Sequence, residues 1–190
     1  LPPGRTLLIN NAGAGDYGDF ADGRWEKIRS LLRLNVESLT RLCHALIPVM
    51  KRNGGDIINL SSLGALLPIP DFAVYAATKA YVSSLSEALR LELREHGIRV
   101  MAVSPGWVKT EFFDHALQTS NDAVTYYNRL YEAKDVMKTA LHDLYRTKKD
   151  VSIHGLPVRW QVRLVKLLPH KLVMDIWMKQ QKHNKLPDED

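Results

Sequence analysis

Apolar positions follow a repeating order along this chain: a short unbroken run, a long stretch with helical spacing, then another short run. Thr6-Leu-Leu-Ile-Asn10 is a compact apolar run ending in Asn-Asn-Ala-Gly, which reads as a buried strand and a loop. From Trp25 to Met50 apolar residues recur in steps of three and four (Trp25, Ile28, Leu32, Val36, Leu39, Cys43, Leu46, Met50), one stripe on a long helix. Asp22 is the expected cap of that helix. Asn53-Gly54-Gly55 ends it, and Asp56–Leu60 reads as the next strand, with Ser61-Ser62 at its carboxyl end. A second helix is predicted from Val74 to His96, with Val82, Leu85, Leu89 and Leu93 on one face and Gly97 as its left-handed stop. Ile98–Val103 is a third strand, closed by Ser104-Pro105-Gly106. Beyond Trp107 the pattern is helical and irregular. Val151–Gly155 reads as a last short strand, and 158–182 as a basic amphipathic helix interrupted at Pro169.

Strands alternating with helices across short turns predict a parallel sheet covered by helices. The fold class expected is an α/β, doubly wound, three-layer sandwich, with residues 1–190 as one domain; no linker or internal repeat divides them. The composition, 25% charged and 45% hydrophobic, excludes collagen-like and disordered classes. One cysteine makes no internal disulfide, so a reducing, cytoplasmic setting is the expectation. Leu1 is not an initiator Met, and no cleavable apolar leader follows it, so the chain reads as beginning inside a longer protein. The formal charge of +5 is local: residues 146–182 hold nine Lys or Arg against two Asp, and the remainder is slightly acidic. That distribution argues against nucleic-acid binding by the domain as a whole.

Gly13-Ala-Gly15-Asp-Tyr-Gly18 fits G-x-G-x-x-G after a strand. The phosphate-binding version needs a helix to start within the loop. Here Asp19–Gly23 intervenes before the helix near Trp25, so the motif is read as a decoy. The informative group lies elsewhere. Tyr75 and Lys79 stand at i and i+4 on one helix face. Ser62 lies thirteen residues before Tyr75 at a strand's carboxyl end, Asn35 sits beside the first helix's apolar stripe, and Pro105-Gly106 closes the next strand. Ligands bind at the carboxyl ends of strands in parallel sheets, so these residues are expected to line one crevice.

Asn10-Asn-Ala-Gly13, Asn35, Asn59-Leu-Ser-Ser62, Tyr75-x-x-x-Lys79 and Pro105-Gly106 resemble, in order and spacing, the short-chain dehydrogenase/reductase family. The resemblance is strong from about Leu7 to Thr110 and loose beyond. It implies NAD(P)-dependent interconversion of a carbonyl and an alcohol by hydride transfer. Tyr75 is then the general acid and base, Ser62 holds the substrate oxygen, and Asn35 binds a water that relays protons from Lys79. Lys79 lowers the phenol's pKa and binds the nicotinamide ribose. Asn11, Ala12 and Gly13 lie against the adenosine ribose, while Pro105, Gly106, Val108 and Thr110 contact the nicotinamide and its phosphate. The cofactor implied is NADP or NAD, with NADP ahead. Ionising a tyrosine near neutral pH means lowering its pKa from about 10 to about 7, roughly 4 kcal/mol, which a nearby cation favours.

The resemblance also implies that the family's glycine-rich pyrophosphate turn and first three strands are not in this chain. The expectations are then a sheet incomplete at its amino end, an apolar edge at Leu7-Leu-Ile9 that aggregates or borrows a strand, and little activity from these residues alone. The substrate is a small-molecule carbonyl or alcohol, apolar on account of the Leu-, Ile- and Pro-rich loop 63–74. A homo-oligomer is expected, and no metal, since the seven histidines lack paired ligand spacing.

Plainer readings stand beside these. Tyr-x-x-x-Lys alone is an ordinary helix face, and Ser62 or Asn35 alone an ordinary polar residue. Cys43 reads as core, and Ala73, Ala76, Ala77 and Ala80 as a close-packing face. Phe112, Phe113, Tyr126, Tyr127 and Tyr131 are either a substrate lid or core. The basic helix is either packed on the sheet or on a partner subunit, the preferred reading, or an interfacial helix at a membrane surface. A noncatalytic nucleotide-binding protein, or one that binds a partner or membrane surface, is the alternative function.

Overall fold

A computed structural model describes residues 4–112 and 129–183. Strand β1 (Thr6–Asn10) leads to α1 (Trp25–Leu32), which runs through a π-helical segment (Arg33–Ser38) into α2 (Leu39–Asn53). Next come β2 (Gly55–Leu60), a 3-10 turn (Leu63–Leu66), α3 (Ala73–Glu92) and β3 (Ile98–Val103). β4 (Val108–Lys109) and β5 (Tyr131–Glu132) form a small parallel pair. The described chain ends with α4 (Ala133–His142), β6 (Val151–Ser152), α5 (Leu156–Leu167) and α6 (His170–His183). The main sheet is parallel throughout, in the order β1-β2-β3-β6.

The two faces of the sheet follow from strand alternation. Ile57 and Val100 point to one face, where Leu39, Cys43 and Met50 of α2 and Val82 of α3 cover them. Ile58, Met101 and Val103 point to the other, against Val136 and Ala140 of α4 and Leu144. Both faces of β2 and β3 are therefore buried, which is why these strands read as unbroken apolar runs. Leu7 and Ile9 on edge strand β1 are each 41% exposed, so the apolar edge expected from the sequence is present among the described residues. Gly97 adopts the left-handed conformation (φ 64°) that ends the α3 region.

Several local expectations are corrected. Residue Arg24, not Asp22, is the N-cap of α1, and no side chain caps it. The helix predicted from Trp25 to Met50 is not uniform, because the π segment places Asn35 inside an expanded turn. Of the four alanines, Ala76 is buried, whereas Ala73, Ala77 and Ala80 are exposed, and all four line a groove beside Leu66, Leu67 and Met174. The β4–β5 pair has only two residues per strand, too few for period-two alternation to register. Phe113, Tyr126 and Tyr127 lie outside the described residues.

A buried carboxylate anchors the amino end of the sheet. Arg5 donates to both oxygens of Asp56 (3.0 and 2.9 Å), and Arg99 donates to one (2.7 Å). Burial pushes the Asp56 carboxyl up, but the hydrogen bonds from Arg5 and Arg99 outweigh it and hold the group below the usual carboxylate range.

Candidate active site

The carboxyl ends of β1, β2 and β3 are stapled to one another. Ser61 N–H donates to Val103 O (2.8 Å), and Leu63 N–H to Pro105 O (3.0 Å). These bonds bring Ser62 and Pro105-Gly106 to one crevice. Beneath them runs a buried polar chain: Asn10 Nδ2 donates to Asn59 Oδ1 (2.8 Å), and Asn59 Nδ2 to Ser86 Oγ (2.9 Å). It ties β1 and β2 to α3 in one register, since Asn10 and Asn59 are paired neighbours.

Tyr75 lies in the first turn of α3 and Lys79 one turn later. The Tyr75 phenol is hydrogen-bonded to Ser62, and Ser62 Oγ also accepts the Gly64 N–H (3.0 Å). Burial drives the phenol pKa up to about 12, and the Ser62 bond pulls weakly the other way. The Lys79 side chain is buried, with Nζ 5.8 Å from the Tyr75 ring centroid. Desolvation lowers its pKa to about 8. Burial dominates both shifts, so in this structure the phenol stands above its ordinary value, where the sequence led one to expect a lowered one.

Among the described residues, Lys79 Nζ makes one hydrogen bond, to Leu60 O (2.8 Å). An ammonium has three donors, so two remain for a ligand in the crevice it lines. A Cβ at Gly13 would stand 3.1 Å from Lys79 Nζ and 3.4 Å from Asn35 Oδ1, so a larger residue there would have to push these polar groups aside by a few tenths of an ångström. Asn35 is buried behind that loop. Its Oδ1 accepts Ala14 N–H (2.9 Å), and its Nδ2 donates to Ala14 O (2.9 Å) and Thr78 Oγ1 (3.0 Å). Thr78 Oγ1 in turn donates to Tyr75 O (2.8 Å). The Asn35 amide thus clamps the Gly13–Ala14 loop to the helix that carries Tyr75 and Lys79.

A cavity of about 390 Å³ collects these elements. Asn11, Gly13, Ser62, Tyr75, Lys79, Pro105, Gly106, Val108 and Thr110 line it; Ala12 and Asn35 do not. Leu63 to Phe72 supply an apolar wall. Phe112 also lines the cavity, its ring 5.4 Å from that of Tyr75, whereas Tyr131 packs on the core below α4. The sequence reading missed the opposite wall: Val162 and Val165 of α5, and Val173, Met174 and Trp177 of α6. Their only signal was a second apolar face on the basic helices. The decoy glycine loop behaves as expected, since no helix begins until Trp25.

The perturbed groups give a pH signature with a definite sign. Unfolded, Lys79 holds its proton to about 10.5; folded, only to about 8, so the unfolded chain binds more protons in that window. Stability therefore rises between pH 8 and 10.5, by at most about 3 kcal/mol. Tyr75 opposes this above pH 10, because the folded phenol keeps its proton up to about 12. Thermal melts across pH 7–10 should show an upward slope that flattens in Lys79→Met. An identical slope in the variant would contradict the assignment.

Comparison with known proteins follows the same lines. The family profile described as short chain dehydrogenase matches residues 6–121. A 3-beta-hydroxysteroid dehydrogenase from Comamonas testosteroni is 41% identical over 114 residues, covering 59% of this chain and 45% of that protein. An uncharacterized oxidoreductase from Myxococcus xanthus is 30% identical over 174 residues, covering 89% of this chain and 64% of that one. A short-chain dehydrogenase from Sphingobium yanoikuyae, solved in complex with NADPH, superposes with a TM-score of 0.72 at 30% identity, covering 97% of this chain and 66% of that chain. The chain thus spans between about half and two thirds of the length of these relatives. Matched over most of its described sheet and superposed on an oxidoreductase fold, the chain belongs to the short-chain dehydrogenase family.

Proposed function

We propose that this crevice reduces the carbonyl of an apolar substrate, with Tyr75 as proton donor. The observation that carries the reading is the convergence of the Tyr75 and Ser62 hydroxyls and the buried Lys79 ammonium on one apolar cavity. A nicotinamide cofactor would supply the hydride. Asn11, Gly13, Lys79, Pro105, Gly106, Val108 and Thr110, which line the cavity, would hold it, and the two free donors of Lys79 suit a ribose. The NADPH bound by the Sphingobium protein puts the phosphorylated cofactor ahead.

Ser62 already accepts from Gly64, so its own O–H is available to donate. It points that proton at the Tyr75 oxygen or at a substrate oxygen in the same place, where negative charge grows during reduction. Tyr75 gives its proton to that oxygen and is left as phenolate. Burial keeps the phenol protonated at neutral pH, the form a proton donor requires, while making it a weaker acid than free tyrosine. In the reverse direction a positive Lys79 close to the phenolate lowers the cost of ionising Tyr75.

The substrate is read as bulky and apolar from the walls at Leu63–Phe72 and Val162–Trp177. The Comamonas relative is named for a hydroxysteroid, a substrate of that character. The test is consumption of NADPH by the intact protein with steroid-sized ketones and with small keto acids. The expected result is a kcat/KM at least roughly tenfold higher for the large apolar ketones, each buried methylene contributing about 0.8 kcal/mol. Preference for the small charged ketones would overturn the reading.

A further inference from the structure

A surface helix ordinarily needs one apolar stripe, the one facing the core. Helices α5 and α6 each carry two. Their inner stripes are spent on the domain: Val158 and Val162 are buried, and Val165, Val173, Met174 and Trp177 wall the cavity. Their outer stripes are open. Leu156, Trp160, Leu164 and Leu167 recur at i, i+4, i+8 and i+11 and are 61–81% exposed. Leu168, Leu172 and Ile176 continue the row at 40–47%. Seven large apolar side chains exposed within twenty-one residues are a density of the kind that marks an interaction site.

The charge beside this patch has one sign. Arg163 and Lys171 are exposed, as is Lys179, with Asp175 the one acidic residue of the two helices. Arg163 lies over the Trp160 ring, its guanidinium carbon 5.1 Å from the centroid. Leucines and an outward tryptophan flanked by cations match an anionic lipid surface, where apolar side chains enter the acyl boundary and cations meet phosphates. Symmetric pairing of two copies would instead set equal cations against one another. Among the described residues no helix is long and apolar enough to cross a membrane, so the geometry is one of lying on the surface.

We propose that α5 and α6 dock this protein on an anionic phospholipid bilayer through the Leu156–Ile176 outer stripe. The inner faces of the docked helices are the apolar wall of the cavity, so the reaction chamber is held directly above the acyl boundary. This inference does not depend on the chemistry assigned to Tyr75.

Flotation of the whole chain with vesicles is the test, since aggregates sink while vesicle-bound protein rises. The expected result is flotation with mixed phosphatidylglycerol–phosphatidylcholine vesicles at low salt, and loss at high salt. The triple charge reversal Arg163→Glu, Lys171→Glu, Lys179→Glu should weaken partitioning about a hundredfold or more. Trp160→Ser with Leu164→Ser should weaken it independently. All these side chains are exposed, and circular dichroism checks that each variant keeps its helices. Absence of flotation on anionic vesicles at low salt overturns the proposal, as does flotation unchanged in both variants. An oligomer dissociated by Leu164→Ser with no vesicle binding overturns it in favour of a second copy of the chain.

Discussion

Replacing Tyr75 by Phe in the intact protein is expected to lower kcat for the proposed carbonyl reduction by roughly 10²–10⁴-fold, the range for losing a positioned general acid, and to leave the affinity for the proposed NADPH cofactor little changed. The ring keeps its contacts with Phe72 and Phe112, at centroid distances of 5.8 and 5.4 Å, so the cavity wall survives. What disappears is the hydroxyl bonded to Ser62. Single-turnover rates and cofactor titration by fluorescence separate the two effects. A variant that retains wild-type hydride transfer would remove Tyr75 from the chemistry. A variant that loses cofactor binding as well would make it structural.

The second large effect is on stability. Asp56→Ala removes a carboxylate buried to 1% exposure and shared by Arg5 and Arg99. Breaking a buried pair can cost about 3–5 kcal/mol. Here the orphaned cations are partly exposed, 47% for Arg5 and 33% for Arg99, and water restores part of their solvation. Arg99 also keeps its bond to Leu144 O (3.0 Å). The expected loss is therefore about 2–3 kcal/mol, a fall in Tm of roughly 4–12 °C for a chain of this length. The pH dependence has a fixed sign. A folded-state pKa below the unfolded one gives stability that is present above the ordinary carboxylate range and lost as pH falls through the folded value. The variant should lose part of that acid-side decline. Asp143 contributes in the same sense, since burial pushes it up but Lys149, Ser152 and Thr147 together hold it below the usual range.

Asp143 and Asp56 show where the one-dimensional pattern stops being informative. Each is a single carboxylate in a stretch of ordinary composition. Asp56 opens an apolar strand; Asp143 follows the last residue of α4, where the helix passes into a π-helical turn (Asp143–Thr147). Their partners Arg99 and Ser152 lie 43 and 9 residues away. No periodicity links such residues, because β2 and β3 coming side by side make the first pairing and a helix end packing on β6 makes the second.

Local order determined the rest early. Three apolar runs bounded by Gly, Asn and Pro fix β1, β2 and β3, since backbone preference and alternation act over a few residues. The i, i+4 step of Tyr75 and Lys79 fixes their common helix face, and residue order places Ser62 and Pro105-Gly106 at strand ends. Only the tertiary structure decided the environment of those groups. Burial, a property of everything packed around an atom, turns Tyr75 upward and Lys79 downward, where the sequence suggested a phenol acidified by its neighbour. It also decided that Asn35 clamps Ala14 to α3, and that one face of α5 and α6 closes the cavity while the other stays open to solvent. Chain-local physics determines which elements form, while distance and dielectric between remote residues exist only once those elements have packed.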